Sequence, residues 1–165
     1  MAIGFLRGAL DWFAKLGLTV RDDAPKIIDV ASREWGEPAA GVALSIRELP
    51  KEDPDQLPGI SAALRNVSGE KKRLEISPWL LFYSVSIARP DGAPAALTAF
   101  GREQLKPERH AHGLALDLDP GQAVETEIPL GSLYGMRSPG DYRIALSAQL
   151  PTGEVAQSNE ITLSR

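Results

Sequence analysis

The closing quarter of the chain, residues 138–165, constrains the fold more than any other stretch. Tyr142, Ile144 and Leu146 alternate with polar residues at every second position, which is typical of a strand with one buried face. A Pro-Thr-Gly turn at 151–153 separates this run from a second one that reaches the end of the chain. The sequence therefore predicts a closing antiparallel hairpin.

The same alternation recurs from Gly36 onward, with turn-forming residues between the apolar runs. Apolar residues two apart predict strands at Val42, Leu44 and Ile46, at Ile60, Ala62 and Leu64, at Leu74 and Ile76 continuing after Pro78 to Ile87, at Leu97 to Phe100, at Leu114, Leu116 and Leu118, and at Val124, Thr126 and Ile128. Residues 130–136 are predicted to contain one helical turn. We expect an all-β fold, an antiparallel β-sandwich of seven to eight strands over residues 36–165, because 13 prolines and 15 glycines favour short strands and many turns.

Residues 1–16 have a different period, in which apolar residues occupy one half of a helix circumference. The sequence predicts an N-terminal amphipathic α-helix within residues 1–18, followed at 19–35 by a linker or a second short helix. The apolar half has three candidate destinations: the sandwich itself near Leu80 and Phe82, a protein partner or second copy, or a membrane surface. The candidate partner-binding residues are Phe5, Leu6, Leu10, Trp12, Phe13 and Leu16.

Composition excludes several classes of function. The net charge is −4, and the densest basic cluster is the three residues at 71–73, so the chain lacks the basic surface of a nucleic-acid-binding protein. It has no cysteine, which rules out disulfides, thiolate metal sites and a cysteine nucleophile. The sequence contains no run of 18 apolar residues, so we expect no membrane span. Asp11 and Lys15 interrupt the N-terminal apolar region, so we expect no secretory signal there. A cytoplasmic protein and an exported protein whose signal was removed both remain open.

Several short motifs are those of a known class of domain. They are Glu34 to Val42, Leu64 to Gly69, Asp119 to Gln122, Pro139 to Tyr142 and Ser158 to Ile161. Together they resemble bacterial immunoglobulin-like (Ig-like) or fibronectin-type-III-like domains over about residues 35–165. The resemblance implies an Ig-like sandwich in which Tyr142 forms a tyrosine corner, its hydroxyl bonded back to the preceding crossover. It implies an architecture and no particular activity.

The loop at 50–58, between the first two predicted strands, is the most individual part of the sandwich. Three prolines stiffen it, and Lys51, Glu52, Asp53 and Asp55 give it a mostly acidic character. One hypothesis is that this loop, or the polar loop at 103–112, binds a protein partner, since loops on a rigid scaffold commonly carry binding residues. A related hypothesis is that the chain resembles small intracellular proteinase inhibitors, which present a pre-organised loop to a protease.

His110 and His112 are the candidate metal ligands. Two histidines two apart share one face of a strand, and Glu103 or Glu108 could supply a carboxylate. Their spacing does not supply a complete site, and the flanking proline and glycine favour an exposed loop. A metal-binding or hydrolytic domain is therefore a third alternative.

The sequence carries no other signal of catalysis. Glu125 and Glu127 fall on what we expect to be a solvent face, whereas a general acid and base pair needs one carboxylate in an apolar pocket. A nucleophile elbow and a phosphate-binding glycine loop are both missing. We therefore expect a non-catalytic protein-interaction or accessory module that needs no cofactor.

Overall fold

The computed structural model describes residues 32–76, 82–106 and 114–165. These ranges contain nine strands and two short helices. In chain order they are β1 Val42–Glu48, β2 Ile60–Asn66, β3 Lys72–Ile76, β4 Tyr83–Ala88, α1 Ala99–Gln104, β5 Leu114–Leu118, β6 Ala123–Ile128, α2 Leu130–Leu133, β7 Asp141–Gln149, β8 Val155–Gln157 and β9 Ile161–Ser164.

All strand pairs are antiparallel, and they form three sheets. One sheet has the order β1-β2-β6, a second pairs β3 with β5, and in the third β7 lies between β4 on one side and β8 and β9 on the other. The predicted all-β, antiparallel class is therefore confirmed. The described residues contain nine strands and not seven or eight. The last predicted strand is divided into β8 and β9, and the predicted strand from Leu74 to Ile87 is divided into β3 and β4, which pair in different sheets.

A single hydrophobic core lies between the three-stranded and the four-stranded sheets, which pack through β1 against β7, β8 and β9. Alternate residues of each strand enter it, as the period of two predicted. Tyr142, Ile144 and Leu146 of β7 belong to this core together with Leu44 and Ile46 of β1, and each is at most 2% exposed. The closing strand is thus a core strand.

The edge of β1 is paired along most of its length. Residues 33–39 fold back on it through a two-residue turn at Ala40 and Gly41, both with positive φ, and Gly36 N donates to Leu44 O at 2.9 Å. A Cβ on Gly36 would lie 1.9 Å from the Gln157 carbonyl oxygen, so this segment also touches the end of β8. Residues 33–39 therefore close the gap between the two sheets.

Asn159 continues this closure between β8 and β9. Its side-chain Oδ1 accepts from Ile46 N at 2.8 Å, and its Nδ2 donates to Ile46 O at 3.0 Å. The neighbouring Ser158 accepts from Leu146 N at 2.8 Å, so the interrupted strand stays bonded to β7. One side-chain amide thus replaces a backbone pair between the sheets.

Tyr142 is buried, and its hydroxyl donates to the carbonyl oxygen of Ser138 at 2.8 Å. This is the hydrogen bond that the resemblance to Ig-like domains implied for Tyr142. It fixes the start of β7 to the segment that precedes it.

The predicted strand at 97–100 is wrong. Leu97 makes an isolated bridge with Tyr134, and the chain then enters α1. Thr98 caps this helix, because its Oγ1 accepts from Gly101 N at 2.9 Å. A threonine followed by a short apolar stretch is compatible with a strand or with a helix. The hydrogen bond from Gly101 N to Thr98 favours the helix.

Loss of the Asn159 amide is expected to weaken the joint between the sheets. In Asn159→Ala, both hydrogen bonds to Ile46 disappear, and the free energy of unfolding should fall by about 2 kcal/mol, since each bond contributes roughly 1 kcal/mol. Urea denaturation followed by circular dichroism measures this. Gln157→Ala is the control, because Gln157 is exposed, and an equal loss in both variants would contradict the prediction.

Candidate functional site

The 50–58 loop connects β1 to β2, and its two ends are held together. Leu49 N donates to Gly59 O at 3.0 Å, which closes the loop at its base. Compact surface loops with adjacent ends are frequently functional. The scaffold therefore presents this segment as one unit.

Hydrogen bonds within the loop fix its shape. Gln56 N donates to Asp53 O at 3.0 Å, and Asp55 N donates to Asp53 Oδ1 at 2.9 Å. The side chain of Gln56 reaches back and accepts from Glu52 N at 2.8 Å. A side-chain oxygen that bonds a backbone amide two residues on is an Asx turn, which stabilises the local conformation. The loop is therefore ordered by its own residues.

The second end of the loop rests on α2. Pro58 is buried, and its carbonyl accepts from Gly131 N at 2.8 Å. A Cβ on Gly131 would lie 2.6 Å from Pro58 Cδ and 2.8 Å from Leu57 Cβ. Glycine is thus required at this point for the helix and the loop to approach.

The predicted loop residues Lys51, Glu52, Asp53 and Asp55 share one exposed segment, since all residues at 51–57 are exposed. This segment contains three carboxylates and one lysine. In the part of the chain that the structure describes, none of these four side chains forms an ion pair. Leu57, an apolar side chain 47% exposed, adjoins the charges. The segment is therefore a fixed acidic surface with one apolar residue at its end.

The other predicted site residues lie outside the described residues. This applies to His110 and His112 and to the helix positions Phe5, Leu6, Leu10, Trp12, Phe13 and Leu16. Glu103, a carboxylate considered for the metal site, belongs to α1 and pairs with Lys106 at 2.6 Å. Within the described ranges there is no group of three or more metal-ligating side chains, and no helix there is long and apolar enough to cross a membrane.

A cluster of charges that the sequence did not predict lies on the three-stranded sheet. Arg33 Nη2 donates to Ser61 Oγ and to Glu125 Oε1, both at 2.7 Å, and the same carboxylate oxygen accepts from Ser61 Oγ. Arg47 adds a third contact at 3.1 Å. The Arg33 side chain is 1% exposed and that of Glu125 is 19% exposed. The expectation that Glu125 lies on a solvent face is wrong, because Arg33 covers it.

The electrostatics of this cluster are those of a structural ion pair. Burial raises the pKa of Glu125, but the Ser61 hydrogen bond and the charges of Arg33 and Arg47 outweigh it, so the pKa of Glu125 lies below its ordinary value. Burial lowers the pKa of Arg33, with the Glu125 charge opposing. Ser61 is 0% exposed, so no substrate reaches its hydroxyl in this arrangement. The cluster stabilises the sheet and offers no accessible nucleophile.

Neutralising Glu125 is expected to destabilise the fold in a pH-dependent way. Glu125→Gln leaves the charge of Arg33 uncompensated, and the free energy of unfolding at neutral pH should fall by about 2 kcal/mol, less than for a fully buried pair. The folded-state pKa is lowered, so the stabilisation is complete above the ordinary value of 4.5 and is lost as the pH falls through the folded value.

The measurement is urea denaturation of the wild type and Glu125→Gln between about pH 7 and about pH 3. The difference between them should shrink toward the acid end. Glu127→Gln, which changes an exposed neighbour, should stay within about 0.5 kcal/mol of the wild type. A constant difference at every pH would contradict the assignment.

A methyl group at Gly131 is expected to displace the loop. In Gly131→Ala, the new Cβ overlaps Pro58 and Leu57, which should cost about 1–3 kcal/mol of stability. The amide of Gln56 should also exchange faster, since the turn that protects it is shifted. Hydrogen exchange and urea denaturation measure the two effects. Gly69→Ala is the control, because nothing lies within 4 Å of its Cβ position, and equal effects would exclude a contact specific to the loop.

No model of a protein family matches the chain, and no curated protein sequence matches it significantly.

Proposed function

We propose that the chain is a non-catalytic interaction module, an Ig-like β-sandwich that presents the acidic 50–58 loop to a basic surface of another protein. The observation that carries the proposal is the state of the loop: it is fully exposed at 51–57, ordered by its own hydrogen bonds and anchored at both ends. Its partner would be recognised by positive charge beside an apolar contact for Leu57.

Two features support the Ig-like architecture. The β1-β2-β6 sheet packs against a sheet in which β7 is central, which is a common arrangement of strands in such sandwiches. The bond from the Tyr142 hydroxyl to the Ser138 carbonyl is that of a tyrosine corner. In this architecture, the loops at the ends of the sheets are the usual binding elements.

The rigidity of the loop supports binding because order in the free protein reduces the entropy lost on association. Charge supports it because Glu52, Asp53 and Asp55 are exposed and form no ion pair with the described part of the chain. Charged residues at the rim of an interface act mainly on association rate and on specificity. We therefore expect binding that weakens as salt concentration rises.

A protease is the second candidate for the partner. A loop stiffened by prolines and pinned at Leu49 and Gly59 has the pre-organisation that an inhibitory loop needs. Inhibition of a panel of serine and metalloproteases by the intact chain would support this candidate. Cleavage in the loop without inhibition would exclude it.

Reversal of charge in the loop is expected to abolish most of the binding. A photoreactive cross-linker on Lys51→Cys, the single thiol in a chain without cysteine, should capture the partner from an extract of the source cells. Unlabelled wild type should compete, whereas Glu52→Lys/Asp55→Lys should compete about tenfold less well. The adduct is identified by mass spectrometry.

Two controls keep this experiment specific. Glu70→Lys/Glu160→Lys changes the net charge equally at two exposed positions elsewhere, and it should compete like the wild type. The cross-linker on Arg73→Cys, an exposed position on β3, should give no adduct. Equal competition by both charge-reversed proteins, or equal adducts at both thiols, would exclude the loop as the binding site.

A further inference from the structure

The outer face of the three-stranded sheet is defined by its register. Side chains directly opposite each other in antiparallel strands share a face. The residues on the face away from the core therefore form three rows: Ala43, Arg65 and Ala123, then Ser45, Ala63 and Glu125, then Arg47, Ser61 and Glu127. We call these nine residues the outer face.

Most of the outer face is small and buried. In a two-layer sandwich this side of a sheet normally meets water and carries polar residues. Here its five small residues are at most 2% exposed, and they are Ala43, Ser45, Ser61, Ala63 and Ala123. Small residues on a sheet leave room for another element to approach closely. The outer face is thus built to be covered.

Described residues account for part of the cover. Arg33 lies over Ser61 and Glu125, and the guanidinium of Arg65 lies 6.0 Å from the centre of the Trp35 ring. Both arginines have spare donors: among the described residues, Nε and Nη1 of Arg33 and Nε of Arg65 are buried without a hydrogen-bond partner. A buried guanidinium nitrogen needs an acceptor, because leaving it unpaired is costly. The rest of the cover must therefore supply oxygen atoms as well as apolar side chains.

We propose that the amphipathic segment at 1–16 of this same chain docks on the outer face as a helix. The chain enters the described range at Ser32, next to Arg33, so the preceding residues start from this face. The intervening residues 17–31 can extend about 50 Å, which is ample for the segment to fold back. The covering residues are this chain's own.

The composition of the segment fits the face. Its apolar half is large, with Phe5, Leu10, Trp12 and Phe13 among its members, and it faces alanines and serines. A helix with one apolar side must bury that side against another layer. A carboxylate that could accept from the spare guanidinium donors lies close in sequence to Arg33, at Asp29 in the intervening residues. The face and the apolar half of the segment are complementary in size.

This assignment differs from the position near Leu80 and Phe82 that the sequence suggested. Phe82 packs edge-on against Tyr83 at 5.1 Å and against the core, so it is already partnered. With residues 1–16 on the outer face, the helix is a third layer of the same domain. Binding by the 50–58 loop is a separate matter and can fail independently.

Thiol accessibility tests the docking in the full chain. Ala63→Cys introduces a single small thiol at the centre of the outer face, and Ala115→Cys introduces one at an exposed position on β5. The thiol at 63 should react with dithionitrobenzoate about a hundredfold more slowly than the thiol at 115, at a rate independent of protein concentration. Adding Leu10→Asp/Phe13→Asp should accelerate the thiol at 63 to a comparable extent and leave the thiol at 115 unchanged.

Each other result contradicts the proposal. Equal reactivity at 63 and 115 would mean an uncovered face, and slow reaction that survives Leu10→Asp/Phe13→Asp would mean a different cover. Protection that rises with protein concentration would assign the segment to a second copy, and protection that falls with added anionic vesicles would assign it to a membrane. Hydrogen exchange shows whether the variant is still folded. In Leu10→Asp/Phe13→Asp, the amides at 5–16 should lose protection while those of β7 keep it.

Discussion

The amide of Asn159 is the contact on which the arrangement of the two sheets depends. It bonds both backbone groups of Ile46 at the edge of β1, where an unpaired strand would otherwise expose its donors and acceptors. Because Ser158 bonds β7 at the same break, the interruption between β8 and β9 joins the sheets. This contact ties the edge of β1 to the strands that pair with β7, and the core lies between the two sheets. The 50–58 loop starts two residues beyond β1, so its direction is set by the same joint.

Strand β2 carries the second constraint. It lies between β1 and β6, and both of its faces are buried: Leu64 enters the core, while Ser61 and Ala63 belong to the outer face. A serine at 61 accommodates the Arg33 guanidinium and bonds the Glu125 carboxylate, which a larger residue could not do in the same space. Charge is tolerated here because it is paired. The middle strand therefore has little freedom in its sequence, in contrast to the loop before it.

Much of the fold could be predicted from periodicity, because a half-buried strand such as β7 has apolar residues at alternate positions. The boundaries of the 50–58 loop could be predicted from local turn-forming residues, whereas the bond of Tyr142 was expected only from the resemblance to Ig-like domains. Arg33 could not, since its partners are distant in sequence and nothing local marks an arginine as buried. One signal was present: the run Ile60 to Leu64 is apolar or small at every position, which indicates burial on both faces. The helix α1 could not be predicted, because it begins at a Thr98 cap and a threonine is equally common in strands.

The carboxylates of this chain differ in what they do for the fold. Glu125 is paired, partly buried and held ionised by its neighbours, so folding depends on it. Glu52, Asp53 and Asp55 lie in solvent, where an isolated charge contributes little to stability. Asp53 serves the loop through its carboxyl oxygen, a role that an uncharged asparagine could fill equally well. The negative charge of the loop is therefore unexplained by folding, and that is the physical reason to look for its use in association.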